Sequence, residues 1–381
     1  MVYEVDGNIP YGNVVNVSYD HETSVPQVNF SAHPHGGPEA LWFCFRLLSA
    51  GEQNPANKIN LVLHNCNNLL GWSLPQSIRP VIRYEGEPWQ RISGGKPIEL
   101  PDGRITASWQ VDTPSTYLDF ALCYPYGQLE LEKMLKESQG FWQKDVIGVS
   151  QNGRPLLRFS NAYGKLGSQR PGLYLIARQH SGETPGSWVL EGFLRYIATL
   201  GEAAPLVWAV PLANIDGIEQ GDYGKDNFPY DLNRAWGTPP MRHETLVIQR
   251  DFANWKTRCK PILGIDFHAP GACEKDGIYC FLPNHERFPQ HHKQAQCWSQ
   301  LIACGLGPEF ASPSFGKVAS HSSRWESPNF TTFCCKENIC GLSFETPYSA
   351  VGDRVLTVDE YLEAGARIAR AIVDNQLLKE A

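Results

Sequence analysis

From about residue 170 the chain alternates apolar runs with stretches of helical periodicity, and this pattern constrains its fold most strongly. The four apolar runs cover residues 173–177, 207–212, 262–267 and 339–344. Strands that alternate with helices build an α/β sheet, and the carboxyl ends of its strands line the crevice where ligands bind. The second part of the chain is therefore predicted to be an α/β domain.

The first part of the chain has a different pattern. Up to about residue 125, short runs rich in β-branched and aromatic residues alternate with Gly, Pro and Asn, which is typical of antiparallel strands joined by turns. These runs cover residues 41–47, 59–64, 80–84, 105–111 and 117–124. We predict an all-β antiparallel sandwich over residues 1–125 and an α/β domain over residues 126–381, since 381 residues exceed one usual core.

Composition argues against several classes of partner. The net charge is −7, and no run of Lys or Arg would neutralise a phosphate backbone. No segment reaches the length of about 18 apolar residues that a membrane helix needs, and the N-terminus lacks the pattern of an export signal. The 11 cysteines include no Cys-x-x-Cys pair and read as buried residues in a reducing compartment. We expect a cytoplasmic protein without nucleic-acid or membrane partners.

Three of the apolar runs lead to side chains that can serve metal chemistry. His180-Ser-Gly-Glu183 follows the first run, His268 ends the third and Glu345 ends the fourth. At the carboxyl ends of sheet strands such residues can meet although they are far apart in sequence. A His, Glu and His set leaves a fourth zinc position for water, and a further carboxylate can take the proton of that water. The pattern favours one zinc ion per chain.

A further motif makes a family resemblance specific. Asp231-Leu-Asn-Arg-Ala-Trp236 follows Asn214-Ile-Asp-Gly217, and the order of all these motifs is similar to that of zinc carboxypeptidases. The cytosolic-carboxypeptidase branch is the most similar, although it has His-Pro-Gly-Glu where this chain has His-Ser-Gly-Glu. The motif-level resemblance spans about residues 120–350. It implies a mixed-sheet, zinc carboxypeptidase-like catalytic domain preceded by a β-sandwich domain.

The resemblance also implies roles for the metal-site residues. It assigns His180, Glu183 and His268 as zinc ligands and Glu345 as the general base that acts on a zinc-activated water. The implied activity is hydrolysis of the C-terminal peptide bond, with a peptide or protein C-terminus as the substrate.

Three more residues receive roles from the resemblance. Asn233 and Arg234 would hold the terminal carboxylate of the substrate, and Asp231 would hydrogen-bond the second nitrogen of His180. A guanidinium can bind a carboxylate through two parallel hydrogen bonds, and a second carboxylate usually orients a metal-binding His. Chemistry thus agrees with these assignments.

The chain departs from the family pattern at two places. Related sequences have an Arg that polarises the scissile carbonyl, but Gly224 stands at that position here, and the adjacent Lys225 is a candidate for the role. Residues 316–333 contain no tyrosine, so the mobile-loop tyrosine of other carboxypeptidases has no counterpart in this stretch.

Two alternatives stay open at this point. The first is a zinc-dependent amidohydrolase or deacylase that acts on small N-acyl amino acids, because Asn233 and Arg234 would serve a free carboxylate there as well. The second is a non-catalytic zinc-binding module, which the missing Arg favours slightly and the intact ligand set disfavours. The sequence carries no signal for side-chain specificity, for the role of the N-terminal domain or for the oligomeric state.

Overall fold

The computed structural model describes residues 3–49, 57–72, 74–227, 230–318 and 328–375. The strands of the first part form two five-stranded sheets, and one short helix, α1, follows them. These elements are β1 Tyr3–Asp6, β2 Val15–Asp20, β3 Gln27–Ser31, β4 Cys44–Ser49, β5 Lys58–Leu63, β6 Val81–Tyr84, β7 Gln90–Arg91, β8 Lys96–Glu99, β9 Ile105–Asp112, β10 Tyr117–Ala121 and α1 Gln128–Glu137.

The two five-stranded sheets pack face to face. Their strand orders are β1-β4-β10-β6-β7 and β2-β3-β5-β9-β8. The ring of Phe30 in β3 lies with its centroid 4.9 Å from that of Phe45 in β4 and 5.9 Å from that of Phe120 in β10. These contacts join opposite sheets and form the sandwich core. Among the described residues, the strand pairs of these two sheets are antiparallel except β3 with β5, so the predicted antiparallel sandwich contains a parallel pair.

The rest of the described chain alternates strands and helices. Its elements are β11 Gln143–Val149, β12 Pro155–Ser160, β13 Pro171–Ala177, α2 Thr184–Thr199, β14 Leu206–Val210, α3 Ile215–Gln220, α4 His243–Lys256, β15 Lys260–His268, β16 Ile278–Phe281, α5 Pro289–Leu306, β17 Ala311–Lys317, α6 Phe330–Lys336, β18 Cys340–Glu345, β19 Ala350–Val351, β20 Arg354–Val355 and α7 Val358–Val373. Strands β19 and β20 form a small hairpin.

Strands β11 to β18 form one mixed sheet in the order β11-β12-β14-β13-β15-β18-β16-β17. The four predicted apolar runs are β13, β14, β15 and β18, and these central strands are parallel to one another. β12 and β16 run antiparallel to their central neighbours. The predicted fold class, a mixed-sheet α/β domain preceded by an all-β domain, is confirmed.

Alternating side chains of the central strands enter two apolar clusters on opposite faces of the large sheet. In β13, Leu173 and Leu175 face the larger cluster, whereas Tyr174 and Ile176 face the smaller one. Helices α2 and α7 pack together over the larger cluster. Gly365 permits their close approach, since a Cβ there would lie 1.9 Å from the carbonyl oxygen of Val189.

The larger cluster continues into the sandwich without a break. At the junction, Trp188 of α2 donates a hydrogen bond from Nε1 to the Tyr124 carbonyl at 3.1 Å, and its ring packs edge-on against Tyr126. The sandwich and the large sheet therefore share one continuous core, and the boundary at residue 125 stays a prediction.

None of the helices in the described ranges combines the length and hydrophobicity that a membrane span requires. All 11 cysteines are free thiols, and most of them are buried.

Candidate metal centre and active-site cleft

Three neighbouring strands bring the predicted site residues to one edge of the large sheet. β13 ends at Ala177, just before His180, while β15 ends at His268 and β18 ends at Glu345. The strands are adjacent and parallel, and His268 pairs with Glu345 across β15 and β18. The carboxyl ends of the strands thus gather residues that are distant in sequence.

His180, Glu183 and His268 converge on one point. His180 Nδ1 lies 2.9 Å from Glu183 Oε1, and His268 Nδ1 lies 2.7 Å from Glu183 Oε2. One potential ligand atom from each residue lies within 4.8 Å of the others, and all three side chains are buried. In the described part of the chain no other set of His, Cys, Asp and Glu has this geometry.

The outer nitrogen of each histidine contacts a buried carboxylate. His180 Nε2 lies 3.2 Å from Asp231 Oδ1, and His268 Nε2 lies 2.6 Å from Asp266 Oδ2. When a histidine donates its Nε2 proton to the neighbouring carboxylate, its Nδ1 atom is unprotonated, and the lone pair of Nδ1 faces Glu183. Sequence reasoning predicted the contact of Asp231 but missed Asp266, which lies inside β15.

The charges of this cluster fit a cation. Burial alone would lower the pKa of both His180 and His268, but the neighbouring carboxylates outweigh burial and raise each pKa above its usual value. Burial alone would raise the pKa of Glu183 and Asp231, but the histidines hold the pKa of both well below the usual range. Three buried carboxylates surround the two imidazoles, those of Glu183, Asp231 and Asp266. A divalent cation between the imidazoles would compensate this excess of negative charge.

The turn between the first two candidate ligands is packed tightly. Gly182 donates a backbone hydrogen bond to the Tyr223 carbonyl at 2.9 Å. A Cβ on Gly182 would lie 2.9 Å from the Tyr223 ring and 3.1 Å from Trp42 Cβ. The N-terminal part of the chain therefore supports the turn through Trp42.

Glu345 lines the cleft beside this cluster. Its Oε2 atom is buried and has no hydrogen-bond partner among the described residues. Burial raises the pKa of Glu345 to about 7, although His268 and Lys225 act in the opposite direction. A carboxylate with a pKa near neutrality and one unsatisfied oxygen is suited to proton transfer.

Asn233 and Arg234 also line the cleft. Both lie in a short 3-10 helix, Leu232–Arg234, which Asp231 caps by accepting a hydrogen bond from Asn233 N. Asn233 Nδ2 lies 3.1 Å from His268 Nε2, and Arg234 donates from Nη1 to the Asn233 carbonyl. The predicted carboxylate-binding pair thus lies directly beside a candidate metal ligand.

Gln179 connects these residues and was missed by sequence reasoning. Its Nε2 donates to Asp266 Oδ2 at 2.5 Å and to Asn233 Oδ1 at 3.0 Å. Its Oε1 accepts a hydrogen bond of 2.6 Å from Trp236 Nε1. The buried amide therefore fixes both the carboxylate behind His268 and the side chain of Asn233. The sequence feature that could have indicated a role for Gln179 is its position directly before His180.

Gly224, where the resemblance led us to expect Arg, has no room for a side chain. Its φ is +83°, and a Cβ would lie 2.4 Å from Ser181 Oγ. Lys225 lines the cleft and lowers the pKa of Glu345, so its ammonium acts on the same space as that carboxylate. The candidate cation Lys225 therefore lies in the cleft, one residue after the position where Arg was expected.

Tyr279 on β16 lines the cleft and was also missed by sequence reasoning. It pairs with Glu345 across β16 and β18, so both side chains point to the same side of the sheet. Tyr279 donates its hydroxyl hydrogen to Glu274 Oε2 at 3.1 Å, and the ammonium of Lys317 lies 3.5 Å from its ring centroid. Part of the 316–333 stretch without tyrosine, residues 319–327, lies outside the described residues.

The cleft has a volume of about 570 Å³, and its lining includes His180, Lys225, Asn233, Arg234, His268, Tyr279 and Glu345. Glu39, Leu70 and Gly71 of the sandwich line it as well. A buried His–Glu–His set beside a carboxylate with an unpartnered oxygen, at the strand ends of a mixed α/β sheet, is an arrangement that occurs in metal-dependent hydrolases.

Comparisons with known proteins agree with this class. Mouse cytosolic carboxypeptidase 6 is 25% identical over 354 residues, which cover 81% of this chain and 63% of the relative. The human protein of that name is 24% identical, over 81% of this chain and 67% of its own length. Human cytosolic carboxypeptidase 1 is 30% identical over 42% of this chain and 15% of its own length. The chain thus spans about two thirds of the length of the two carboxypeptidase 6 relatives and a much smaller part of carboxypeptidase 1.

Solved structures show the same fold. A metallo-carboxypeptidase from Burkholderia cenocepacia matches with a TM-score of 0.76 and 18% identity, covering 100% of both chains. A metallo-carboxypeptidase from Pseudomonas aeruginosa matches with a TM-score of 0.72 and 18% identity, over 97% of this chain and 98% of that one. No family model matches. In sequence the chain is related to the cytosolic carboxypeptidases, and it has the fold of the metallo-carboxypeptidases, so the resemblance inferred from its motifs is confirmed.

Proposed function

We propose that this chain is a zinc metallocarboxypeptidase that hydrolyses the C-terminal peptide bond of peptides or proteins in the cytoplasm. One observation supports the proposal most strongly. His180 and His268, which converge on the buried Glu183, line one cleft together with Glu345, whose Oε2 has no partner among the described residues, and the Asn233–Arg234 pair. The relatives named cytosolic carboxypeptidases support both the reaction and the location.

Zinc is the metal we propose, with one ion per chain. Two imidazoles and one carboxylate are the ligand set of open zinc sites in hydrolases. When bound, zinc supplies a Lewis acid and lowers the pKa of a water molecule from 15.7 to about 7. Asp231 and Asp266 would keep the two histidines oriented for it.

Residues of the chain bind the substrate, transfer protons and stabilise the developing negative charge. Arg234 and Asn233 bind the terminal carboxylate and so place the last peptide bond beside Glu345. Glu345 accepts a proton from the attacking water on its free oxygen and passes a proton to the leaving amine. Lys225 directs its positive charge at the oxygen of the scissile carbonyl as negative charge develops there.

The function is tested by turnover of three substrate classes with the zinc-loaded protein. We expect hydrolysis of peptides with a free C-terminus and little hydrolysis of the same peptides with a C-terminal amide. Preferential turnover of N-acetyl or N-succinyl amino acids would instead establish the deacylase alternative. A zinc-loaded protein inert toward all three classes would establish a binding module.

Replacement of Arg234 by Lys or Ala is expected to lower kcat/KM for peptides with a free C-terminus by roughly 10- to 100-fold, with zinc retained. A charge-assisted hydrogen bond contributes about 1.5–3 kcal/mol, and Lys cannot reproduce the planar fork. Steady-state kinetics on free and amidated peptides measures the effect. The exposed Arg250 in α4 gives a matched control as Arg250→Lys. Equal losses on both peptide classes would show that Arg234 does not bind the carboxylate.

Replacement of Lys225 by Met is expected to lower kcat by roughly 10²-fold, the usual scale for loss of one group that stabilises an oxyanion. Because Lys225 lowers the pKa of Glu345, its removal raises that pKa, and the acid limb of the pH–rate profile moves to higher pH. Lys225→Arg should restore part of both effects. An unchanged kcat and an unchanged pH–rate profile in Lys225→Met would show that Lys225 is a solvated loop residue without a role in the reaction.

A further inference from the structure

The hydrogen bonds of Gln179 have a direction that the chemistry of its neighbours fixes. Trp236 Nε1 can only donate, so the atom of Gln179 that lies 2.6 Å from it is the carbonyl oxygen Oε1. An ionised carboxylate only accepts, so the atom of Gln179 that lies 2.5 Å from Asp266 Oδ2 is the donor Nε2. Both contacts require the same orientation of the buried Gln179 amide.

The amide of Asn233 is oriented in turn by two donors. Gln179 Nε2 lies 3.0 Å from Asn233 Oδ1, and the backbone N–H of Phe330 lies 3.3 Å from the same oxygen. A backbone N–H cannot accept a hydrogen bond, so each contact independently requires the carbonyl oxygen of Asn233 on this side. The amide nitrogen Nδ2 is therefore the end of Asn233 that remains for a ligand in the cleft, which Asn233 lines.

The Nδ2 group of Asn233 keeps its donors for such a ligand. In the described structure Nδ2 lies 3.1 Å from His268 Nε2, but that nitrogen is closer to Asp266 Oδ2, at 2.6 Å, and directs its own proton there. A carboxylate offers only acceptors to Nδ2, whereas a carboxamide also carries an NH2 group, which donates. The orientation of Asn233 thus favours a carboxylate over a carboxamide.

We propose that Gln179 is a positioning residue that sets the orientation of the Asn233 amide, with Trp236 holding Gln179, and that this orientation makes the site select a free C-terminal carboxylate over a C-terminal amide. The proposal rests on the carboxypeptidase function proposed above. Gln179 and Trp236 are buried behind Asn233 and are not among the residues that line the cleft, so both act on the substrate through Asn233.

Gln179→Glu tests the orientation, because Glu has nearly the same shape but replaces the Nε2 donor by an oxygen. Asn233 should then turn Nδ2 toward Glu and Oδ1 toward the cleft, where Oδ1 repels a carboxylate. The readout is the ratio of kcat/KM for a peptide with a free C-terminus to kcat/KM for its amide, measured on zinc-loaded protein. We expect this ratio to fall about 10- to 100-fold, the range for a hydrogen bond to a charged group.

Two further variants keep this test decisive. Gln249→Glu, on α4 and outside the lining of the cleft, introduces the same charge and should leave the ratio unchanged. Gln179→Met removes the donor without adding a charge, should lower the ratio in the same direction, and replaces Gln179→Glu if that variant does not fold. Zinc content and melting temperature are measured in each variant. An unchanged ratio in a folded, zinc-loaded Gln179 variant would overturn the proposal.

The route through Asn233 is tested by combining Gln179→Glu with Asn233→Ala. If Gln179 acts by orienting Asn233, Gln179→Glu should change the ratio less than about twofold once Asn233 is absent, because the two effects are not additive. Equal decreases with and without Asn233 would show that Gln179 supports the site in general, and the orientation role would be rejected.

The part of Trp236 is tested by Trp236→Phe with Trp255→Phe as its matched control. Both tryptophans are buried in the smaller apolar cluster, but Trp255 Nε1 has no hydrogen-bond partner among the described residues. The two variants therefore lose the same ring volume, and only Trp236→Phe loses a hydrogen bond. Trp236→Phe should lower the ratio about 3- to 10-fold, the range for one neutral hydrogen bond. The same ratio in both variants would overturn the role of Trp236.

The outcomes separate this proposal from the proposed function. If the zinc-loaded wild type hydrolyses no peptide, the proposed function fails, and calorimetric affinities of the same protein for the free peptide and its amide replace kcat/KM. A preference of the wild type for the free peptide that Gln179→Glu abolishes would support the orientation role without turnover. Equal affinities for the two peptides in the wild type, or an unchanged preference in Gln179→Glu, would overturn it.

Discussion

Replacement of Glu345 by Gln is expected to lower kcat by roughly 10²–10⁴-fold, the usual contribution of a positioned general base, while one zinc per chain and substrate affinity are retained. Gln preserves the shape of the side chain but cannot accept a proton. The oxygen of Glu345 that has no partner in the described structure is the expected acceptor. The measurement combines kcat, zinc content and melting temperature on the same preparation.

A matched control distinguishes a catalytic from a structural carboxylate. Glu191 in α2 is also buried, but it pairs with Arg195 outside the cleft. Glu191→Gln should lower the melting temperature and leave kcat close to wild type. A near-normal kcat in Glu345→Gln would remove Glu345 from the mechanism, and loss of zinc would make it a ligand instead.

Replacement of His180, Glu183 or His268 by Ala is expected to abolish stoichiometric zinc and all hydrolysis. Each residue is one of the three candidate ligands found among the described residues, and the loss of one ligand of three should remove a large part of the metal-binding free energy. Asp231→Asn and Asp266→Asn should act more mildly, with a roughly 10- to 100-fold loss of metal affinity or activity. Metal analysis after dialysis against a chelator-buffered zinc series measures both effects.

The partly exposed His292 on α5 is the control for nonspecific metal binding, and His292→Ala should bind zinc like the wild type. Full zinc occupancy in any one of the three Ala variants would show that the residue replaced is not a ligand. Wild-type affinity in Asp266→Asn would show that its contact with His268 is dispensable.

The sequence predicted those site residues that lie where a strand ends. His268 and Glu345 close long apolar runs, and such runs become adjacent parallel strands whose carboxyl ends coincide. Asp231, Asn233 and Arg234 were predicted from the resemblance of Asp231-Leu-Asn-Arg to a family motif, and a cap followed by one helical turn holds them close together. Local patterns predicted the strand-end residues, and the resemblance added the residues of this motif.

Other site residues depend on pairing that local patterns do not encode. Tyr279 reaches the cleft because β16 lies between β18 and β17, antiparallel to β18 and parallel to β17, and no periodicity in a four-residue strand specifies these neighbours. Asp266 lies within an apolar strand, where its side chain is accommodated only because His268 and Gln179 contact it. Both residues needed three-dimensional contacts to be recognised.

The reason for the missing Arg could not be inferred from the sequence. The sequence revealed that Gly224 stands at the expected position, but the reason lies in the close approach of Ser181, which belongs to the segment between the ligands. The contribution of Glu39 and Gly71 to the cleft was equally hidden, because nothing in a strand-rich pattern indicates which loops of the sandwich face the second domain.

The packing of Trp42 against Gly182 has a thermodynamic consequence. A residue of the sandwich touches the turn that holds two of the three candidate metal ligands, and both belong to parts joined by one continuous apolar core. A metal that binds only the folded turn lowers the free energy of the native state, and through this contact the gain extends to the sandwich. We therefore expect metal occupancy to stabilise the N-terminal sheets as well as the turn that carries the candidate ligands.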